Sequence, residues 1–132
     1  EHAGPASIRG ALDALGADRI RHGIRAIEDP ALVAELAERE IVLDVCPISN
    51  VCTGAVRSLE EHPLPLLVDA GVLCSVSTDD PAMFDTDLSR EYAAAAGLGL
   101  DPAGMYDAGL AGTLCDENTR EKLRGIAAAT LR

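Results

Sequence analysis

The sequence predicts an α/β fold built on a parallel sheet, and three observations carry that prediction. Short apolar strand patterns alternate with helical patterns, polar residues fall just past the C-terminal end of each strand pattern, and the closing stretch of the chain is helical with no strand.

Pro5 to Leu15 places Ile8, Ala11, Leu12 and Leu15 at helical spacing, with Pro5 suited to a first turn and Gly16 to a stop, and predicts a helix. A short strand follows over 19–22 and ends in Gly23. After a loop, Asp29 and Pro30 open a second helical pattern through Leu32, Val33, Leu36 and Ala37. Residues 41–46 are β-branched and nearly continuous in apolar character, as expected of a strand buried on both faces of a parallel sheet, and Pro47 ends it. A loop then runs to Pro63, a helix is expected from Pro65 to Ala70 with its close at Gly71, and 72–77 repeats the buried-strand pattern. Residues 86–132 carry three helical stretches and read as a helical tail.

Alternation of this kind, with polar residues at strand ends, is the pattern of a sheet whose site lies on its C-terminal face. A complete (β/α)8 TIM barrel needs about 250 residues, so a chain of 132 residues is expected to supply the C-terminal half of one, as a single domain over 1–132. Apolar residues make up 48% of the sequence, enough for a core, while aromatics are 2% and Trp is absent. The core is therefore expected to be aliphatic. A half-barrel should expose sheet edges and strand faces, which favours self-association.

Eleven basic against twenty-two acidic residues give a net charge of −11, which repels phosphate backbones and anionic lipid heads. Nucleic acid and membrane partners are not expected. No apolar run approaches the ~20 residues that span a bilayer and no signal-peptide pattern opens the chain, so a cytoplasmic location is expected. The four cysteines, Cys46, Cys52, Cys74 and Cys115, form no Cys-x-x-Cys or Cys/His cluster. Reduced thiols are expected, with Cys46 and Cys74 acting as small buried hydrophobes.

Three polar points stand out as chemistry: Glu1, His22, and the pair Asp79-Asp80 ahead of Pro81. Adjacent carboxylates at a strand end point in different directions, so one can bind a metal while the other faces a substrate. The same pair also suits a cap for the next helix. His22 places an imidazole that titrates near neutral pH where barrel active sites lie.

These segments resemble the adenosine deaminase family, which shows His-Ala-Gly-Glu, Arg-Ile/Leu-Gly-His-Gly, Cys-Pro-x-Ser-x and Thr-Asp-Asp-Pro at successive strand ends. The matching residues are Arg19-Ile20-Arg21-His22-Gly23, Cys46-Pro47-Ile48-Ser49-Asn50 and Thr78-Asp79-Asp80-Pro81. Glu1 takes the place of the family's glutamate, since that alignment restores the family's spacing to His22. His2-Ala3-Gly4 is then a coincidental echo, with His2 a surface or pocket-rim residue.

The resemblance implies zinc-dependent hydrolytic deamination of a 6-aminopurine nucleoside, adenosine to inosine plus ammonia. It implies Asp79 as a zinc ligand, His22 as the residue that orients and helps deprotonate a water, Glu1 as the acid on ring N1, and Asp80 as a contact to N7. It also implies that the other zinc ligands, a His-x-His pair and a histidine before the glutamate, lie upstream of Glu1. Such sites use three or more protein ligands, so the isolated chain is expected to be inactive. Arg21 stands where adenosine-specific members have glycine, which leaves adenine or 6-amino-6-deoxyfutalosine as alternative substrates, and it equally suits a salt bridge. A reading of another class is an inactive barrel remnant that only associates with another chain. The His-x-Glu and Pro-Cys-x-x-Cys signature of the cytidine deaminases is missing.

Overall fold

Three short strands, β1 (Arg19–Arg21), β2 (Val42–Val45) and β3 (Cys74–Val76), lie parallel in chain order in the computed structural model, which describes residues 1–130. The register sets Ile20 beside Leu43 and Leu43 beside Cys74, and Arg21 beside Asp44 and Asp44 beside Ser75. Side chains alternate along a strand, so Ile20, Leu43 and Cys74 share one face while Arg19, Asp44 and Ser75 share the other. The ladder runs past the strand ends. His22 N–H donates to the Asp44 carbonyl at 2.8 Å and Ser77 N–H to the Val45 carbonyl at 2.9 Å.

Helices α1 (Pro5–Leu15), α2 (Pro30–Glu38) and, later in the chain, Leu64–Asp69 cover the apolar face. Ile8 and Leu12 of α1, Leu32, Val33 and Leu36 of α2, and Leu64 and Leu67 pack with Ile20, Leu43, Val45 and Cys74 in one aliphatic cluster. Full burial of each such side chain stabilises by about 1.5–3 kcal/mol. Asp29 caps α2 through its contacts with the Ala31 and Leu32 N–H groups and also takes two bonds from Arg9, at 2.8 and 3.2 Å, which ties α1 to α2.

The segment expected as a loop after Pro47 holds a helix, α3 (Pro47–Cys52), and a 3-10 turn at Leu59–Glu61, so the Leu64–Asp69 helix is α4. Six residues are too few to show helical periodicity in a sequence. What stabilises α3 is remote: Pro47 needs no N–H partner at the first position, and Ile48 N–H donates to the buried carboxylate of Glu91 at 3.1 Å. A second 3-10 turn, Ile24–Glu28, fills the stretch between β1 and α2.

The helical tail is α5 (Leu88–Gly97), α6 (Pro102–Ala111) and α7 (Glu117–Thr130); residues 131 and 132 of the expected tail lie outside the described residues. It is more than an appendage, because α6 packs on β3 and β2. A Cβ at Gly112 would strike Val42, so that position must lack a side chain, and one at Gly109 would lie 3.1 Å from the Ser75 Cβ, a tight contact. Arg19 joins the layers, donating to the Gly109 carbonyl at 3.1 Å and pairing with Asp44 at 2.5 Å. Burial works to raise the Asp44 pKa, yet the bonds from Arg19 and Ser75 hold it below the ordinary carboxylate value.

All four cysteines are free, and burial pushes the Cys46 and Cys74 thiols up to about 12, so neither is a thiolate at neutral pH. No helix among the described residues is long and apolar enough to cross a membrane.

Candidate active site

The candidate residues follow the ends of the three parallel strands, and the backbone there is unusual. His22 and Asp79 adopt left-handed conformations with φ of 57° and 59°. Such positions cost about 1–3 kcal/mol each in a residue other than glycine. The chain therefore holds two of its chemically capable side chains at a local expense. Gly23, at φ 70°, continues the turn after His22, and a Cβ there would lie 2.7 Å from the Leu43 Cδ2. Only glycine lets the chain double back so closely over the sheet.

Glu1, His22 and Asp79 converge. His22 Nδ1 lies 3.5 Å from Glu1 Oε2 and His22 Nε2 lies 3.7 Å from Asp79 Oδ2, with the His22 and Glu1 side chains only 13% and 12% exposed. Two consecutive residues of α3 hold the ends of this row. Ser49 Oγ donates to Asp79 Oδ2 at 2.8 Å, and Asn50 Nδ2 donates to Glu1 Oε2 and lies 3.1 Å from His22 Nδ1. Ser49 and Asn50 are wholly buried. Arg21 also reaches Asp79, NH2 to Oδ1 at 3.3 Å, from a half-exposed position.

The hydrogen bonds decide the protonation pattern. Asn50 turns its amino group toward the Glu1 carboxylate and its carbonyl toward His62. That amino group also meets His22 Nδ1, which must then accept, so the ring proton sits on Nε2 toward Asp79. A neutral His22 thus presents a donor on the Asp79 side, not the lone pair that deprotonating a water would need. Burial lowers the His22 pKa below its ordinary value, against the pull of the Glu1 and Asp79 carboxylates. The Ser49 hydrogen bond is the largest cause holding the Asp79 carboxyl below its usual value.

Behind Asn50 stands His62, 4% exposed, with Nε2 at 3.1 Å from Asn50 Oδ1 and Nδ1 accepting the Leu64 N–H at 3.1 Å. Burial pushes its pKa down to about 4. The unfolded chain then binds a proton at His62 that the folded chain does not, between pH 6.5 and 4. This group's contribution to stability is whole above pH 6.5 and is lost as pH falls toward 4, by roughly 3 kcal/mol. Urea unfolding of the wild-type chain and of His62→Gln at pH 7 and pH 4.5 measures this. The wild type loses roughly 2.4 kcal/mol more than the variant does over that interval, since the other titrating groups are common to both.

Glu91 completes the support. It is wholly buried, accepts from Ile48 N–H and from Thr86 Oγ at 2.9 Å, and burial raises its pKa. Through that bond α5 fixes the start of α3, and α3 carries Ser49 and Asn50.

The structure gathers Glu1, His22 and Asp79 but leaves Asp80 outside the row. Asp80 is exposed, and its Oδ1 accepts the Met83 N–H at 2.9 Å, the capping contact that the sequence also allowed. His2 is 59% exposed, at 3.6 Å from Glu1 Oε1. The Arg21 to Asp79 contact is the salt bridge that the sequence left open. Ser49 and Asn50 appeared in the quoted motif without a role, while His62 and Glu91 were not singled out. A His and a Glu ahead of or within apolar helical patterns were the only available signals, and both are common on surfaces.

Among the described residues, no group of three or more His, Cys, Asp and Glu side chains is placed to hold a metal ion. Asp79 offers one carboxylate oxygen toward the row, so the donors present do not complete a zinc site.

Polar side chains from three successive parallel strand ends, gathered over a sheet with helices packed against it, match the arrangement at the C-terminal face of a (β/α)8 barrel, where barrel active sites lie. The chain belongs to the adenosine deaminase family, whose model matches residues 1–128. It is 59% identical over 127 residues to an aminodeoxyfutalosine deaminase of Acidothermus cellulolyticus, covering 96% of this chain and 36% of that relative. The fold matches the crystal structure of an adenine deaminase from Arthrobacter aurescens with a TM-score of 0.90 at 32% identity, covering 97% of this chain and 41% of that one. It also matches an amidohydrolase from Burkholderia ambifaria solved with bound Zn, at a TM-score of 0.84 and 26% identity, covering 96% and 36%. The chain thus spans little more than a third of the length of these proteins and forms part of their barrel.

Proposed function

We propose that these residues are one part of the active site of a zinc-dependent aminohydrolase that replaces the 6-amino group of a purine with oxygen and releases ammonia. The observation that carries this reading is the row Glu1, His22, Asp79, spaced through Asn50 and Ser49 at one end of the sheet. Zinc would be held by Asp79 together with ligands outside these residues, and when bound would supply a Lewis acid that makes water nucleophilic at neutral pH.

The chain's own groups have separable tasks. Asn50 holds Glu1 Oε2, which leaves Oε1 as the oxygen that delivers a proton to ring N1 and makes C6 electrophilic. His22, with its proton on Nε2, orients the attacking water beside Asp79. The water oxygen adds to C6 and the C6–N bond then breaks; of the two protons the water gives up, one leaves with the amino group as ammonia and the other replaces the proton that Glu1 passes to N1, which stays on the 6-oxo purine. Asp80 contacts N7 through the Oδ2 that its cap leaves over.

Aminodeoxyfutalosine is the favoured substrate over adenosine, the family's namesake, because of the 59% identity to its deaminase and because Arg21 occupies the family's glycine position. Adenine is the second reading, supported by the fold match to an adenine deaminase.

The 132-residue chain alone releases no ammonia from any of these purines, and a polypeptide that adds the remaining barrel strands with their zinc ligands does. An enzyme-coupled ammonia assay on both proteins tests this; activity in the chain alone contradicts the proposal.

A further inference from the structure

We propose that His62 is a positioning residue of this site: by donating Nε2–H to Asn50 Oδ1, it orients the asparagine amide so that its amino group holds Glu1 and His22 together. The catalytic meaning of that role rests on the deaminase reading above, while the geometry stands by itself.

The proton pattern runs in one direction. The Leu64 N–H, in the first turn of α4, donates to His62 Nδ1 at 3.1 Å, so a neutral His62 ring carries its proton on Nε2. That proton faces Asn50 Oδ1 at 3.1 Å. With its carbonyl occupied, Asn50 has its amino group left for Glu1 Oε2 and His22 Nδ1. Every polar atom of His62 and Asn50 then has a partner in a place without water, since His62 is 4% exposed and Asn50 wholly buried. Reversing any amide or ring would set a carbonyl against a carboxylate or two donors against each other.

The sequence of contacts also explains a histidine in an otherwise apolar setting. With a pKa near 4 the ring stays neutral around pH 7, so it serves as a fixed donor and acceptor and not as a proton carrier. It relays the position of α4 to the site. Leu64 and Leu67 of α4 lie in the aliphatic core, so the orientation of Asn50 is referred to the most rigid part of the fold. Ser49 does the same for Asp79 from the preceding position of α3. The consequence falls on His22, whose proton is kept on Nε2, facing Asp79.

The test is a long-range 15N–1H correlation spectrum of the histidine rings in the 132-residue chain at pH 7, which distinguishes bare from protonated ring nitrogens. His62 and His22 are both expected as single Nε2–H tautomers. In His62→Gln, whose amide N–H replaces the donor, His22 keeps that pattern. In His62→Phe it loses it, and both ring nitrogens move toward the averaged shifts of a free imidazole. A wild-type His22 that is already averaged or protonated on Nδ1, or a folded His62→Phe chain with His22 unchanged, overturns the proposal. If the phenylalanine variant does not fold, the wild-type and glutamine spectra decide the question alone. The measurement uses neither substrate nor zinc, so a failed deaminase assay and a failed tautomer assignment remain distinct results.

Discussion

Replacing Glu1 by glutamine in a protein that carries the full barrel lowers kcat by about 10²–10⁴-fold, the usual worth of a positioned general acid. The substitution is a clean one here. A glutamine carbonyl still accepts from Asn50 Nδ2, so the row keeps its spacing. What disappears is the ability to hand a proton to the purine ring. The loss should fall on kcat with KM little changed, since the group acts in the transition state and not on ground-state binding. Steady-state ammonia release over a range of substrate concentrations separates the two. A kcat within about threefold of wild type would remove Glu1 from the role of acid, because general acid catalysis contributes far more than that.

Leu43→Ala costs the folded chain about 2–5 kcal/mol, the range for truncating a buried leucine. Leu43 is wholly buried at the centre of the sheet, between Ile20 and Cys74, and its methyl groups lie under the turn at Gly23. Against a typical total of about 5–15 kcal/mol, that is a large share. The same change at Leu66, which is 59% exposed, costs under about 0.5 kcal/mol. Urea unfolding of both variants measures the contrast. The Leu43 cavity should also loosen His22, one residue before Gly23.

Much of the fold was legible because β2 and β3 are largely buried on both faces. Residues 41–46 and 72–77 read as nearly continuous apolar runs, and proline or glycine bounds each helix from α1 to α6, so the α/β alternation and the polar strand ends followed from pattern alone. The short α3 was not legible. It depends on a carboxylate 43 residues away, Glu91, which no local periodicity records. The packing of α6 onto the sheet was hidden for a similar reason: its cause is the absence of side chains at Gly109 and Gly112, and a glycine in a helical pattern reads as a weakness before it reads as a contact.

Glu1, His22 and Asp79 were expected together from spacing that resembles a family, and the geometry brings the three side chains close to one another. The family resemblance implied Asp80 as a substrate contact, and after the left-handed turn at Asp79 its Oδ1 accepts the Met83 N–H, a local capping contact that adjacency to Asp79 does not reveal. His62 escaped notice because its importance lies in burial and in two hydrogen bonds, neither of which a sequence displays. The partner of His22 Nδ1 was equally invisible, since Asn50 lies on a separate helix.

The most direct measurement is ammonia release from aminodeoxyfutalosine, adenine and adenosine by a zinc-loaded protein containing this chain and the rest of its barrel, before and after chelation. Release with loss of the 6-amino group, fastest on aminodeoxyfutalosine and abolished by removing zinc, is the expected result. A folded, zinc-loaded protein that releases ammonia from none of the three, or one whose activity survives complete chelation, would contradict the assignment of this site to zinc-dependent deamination.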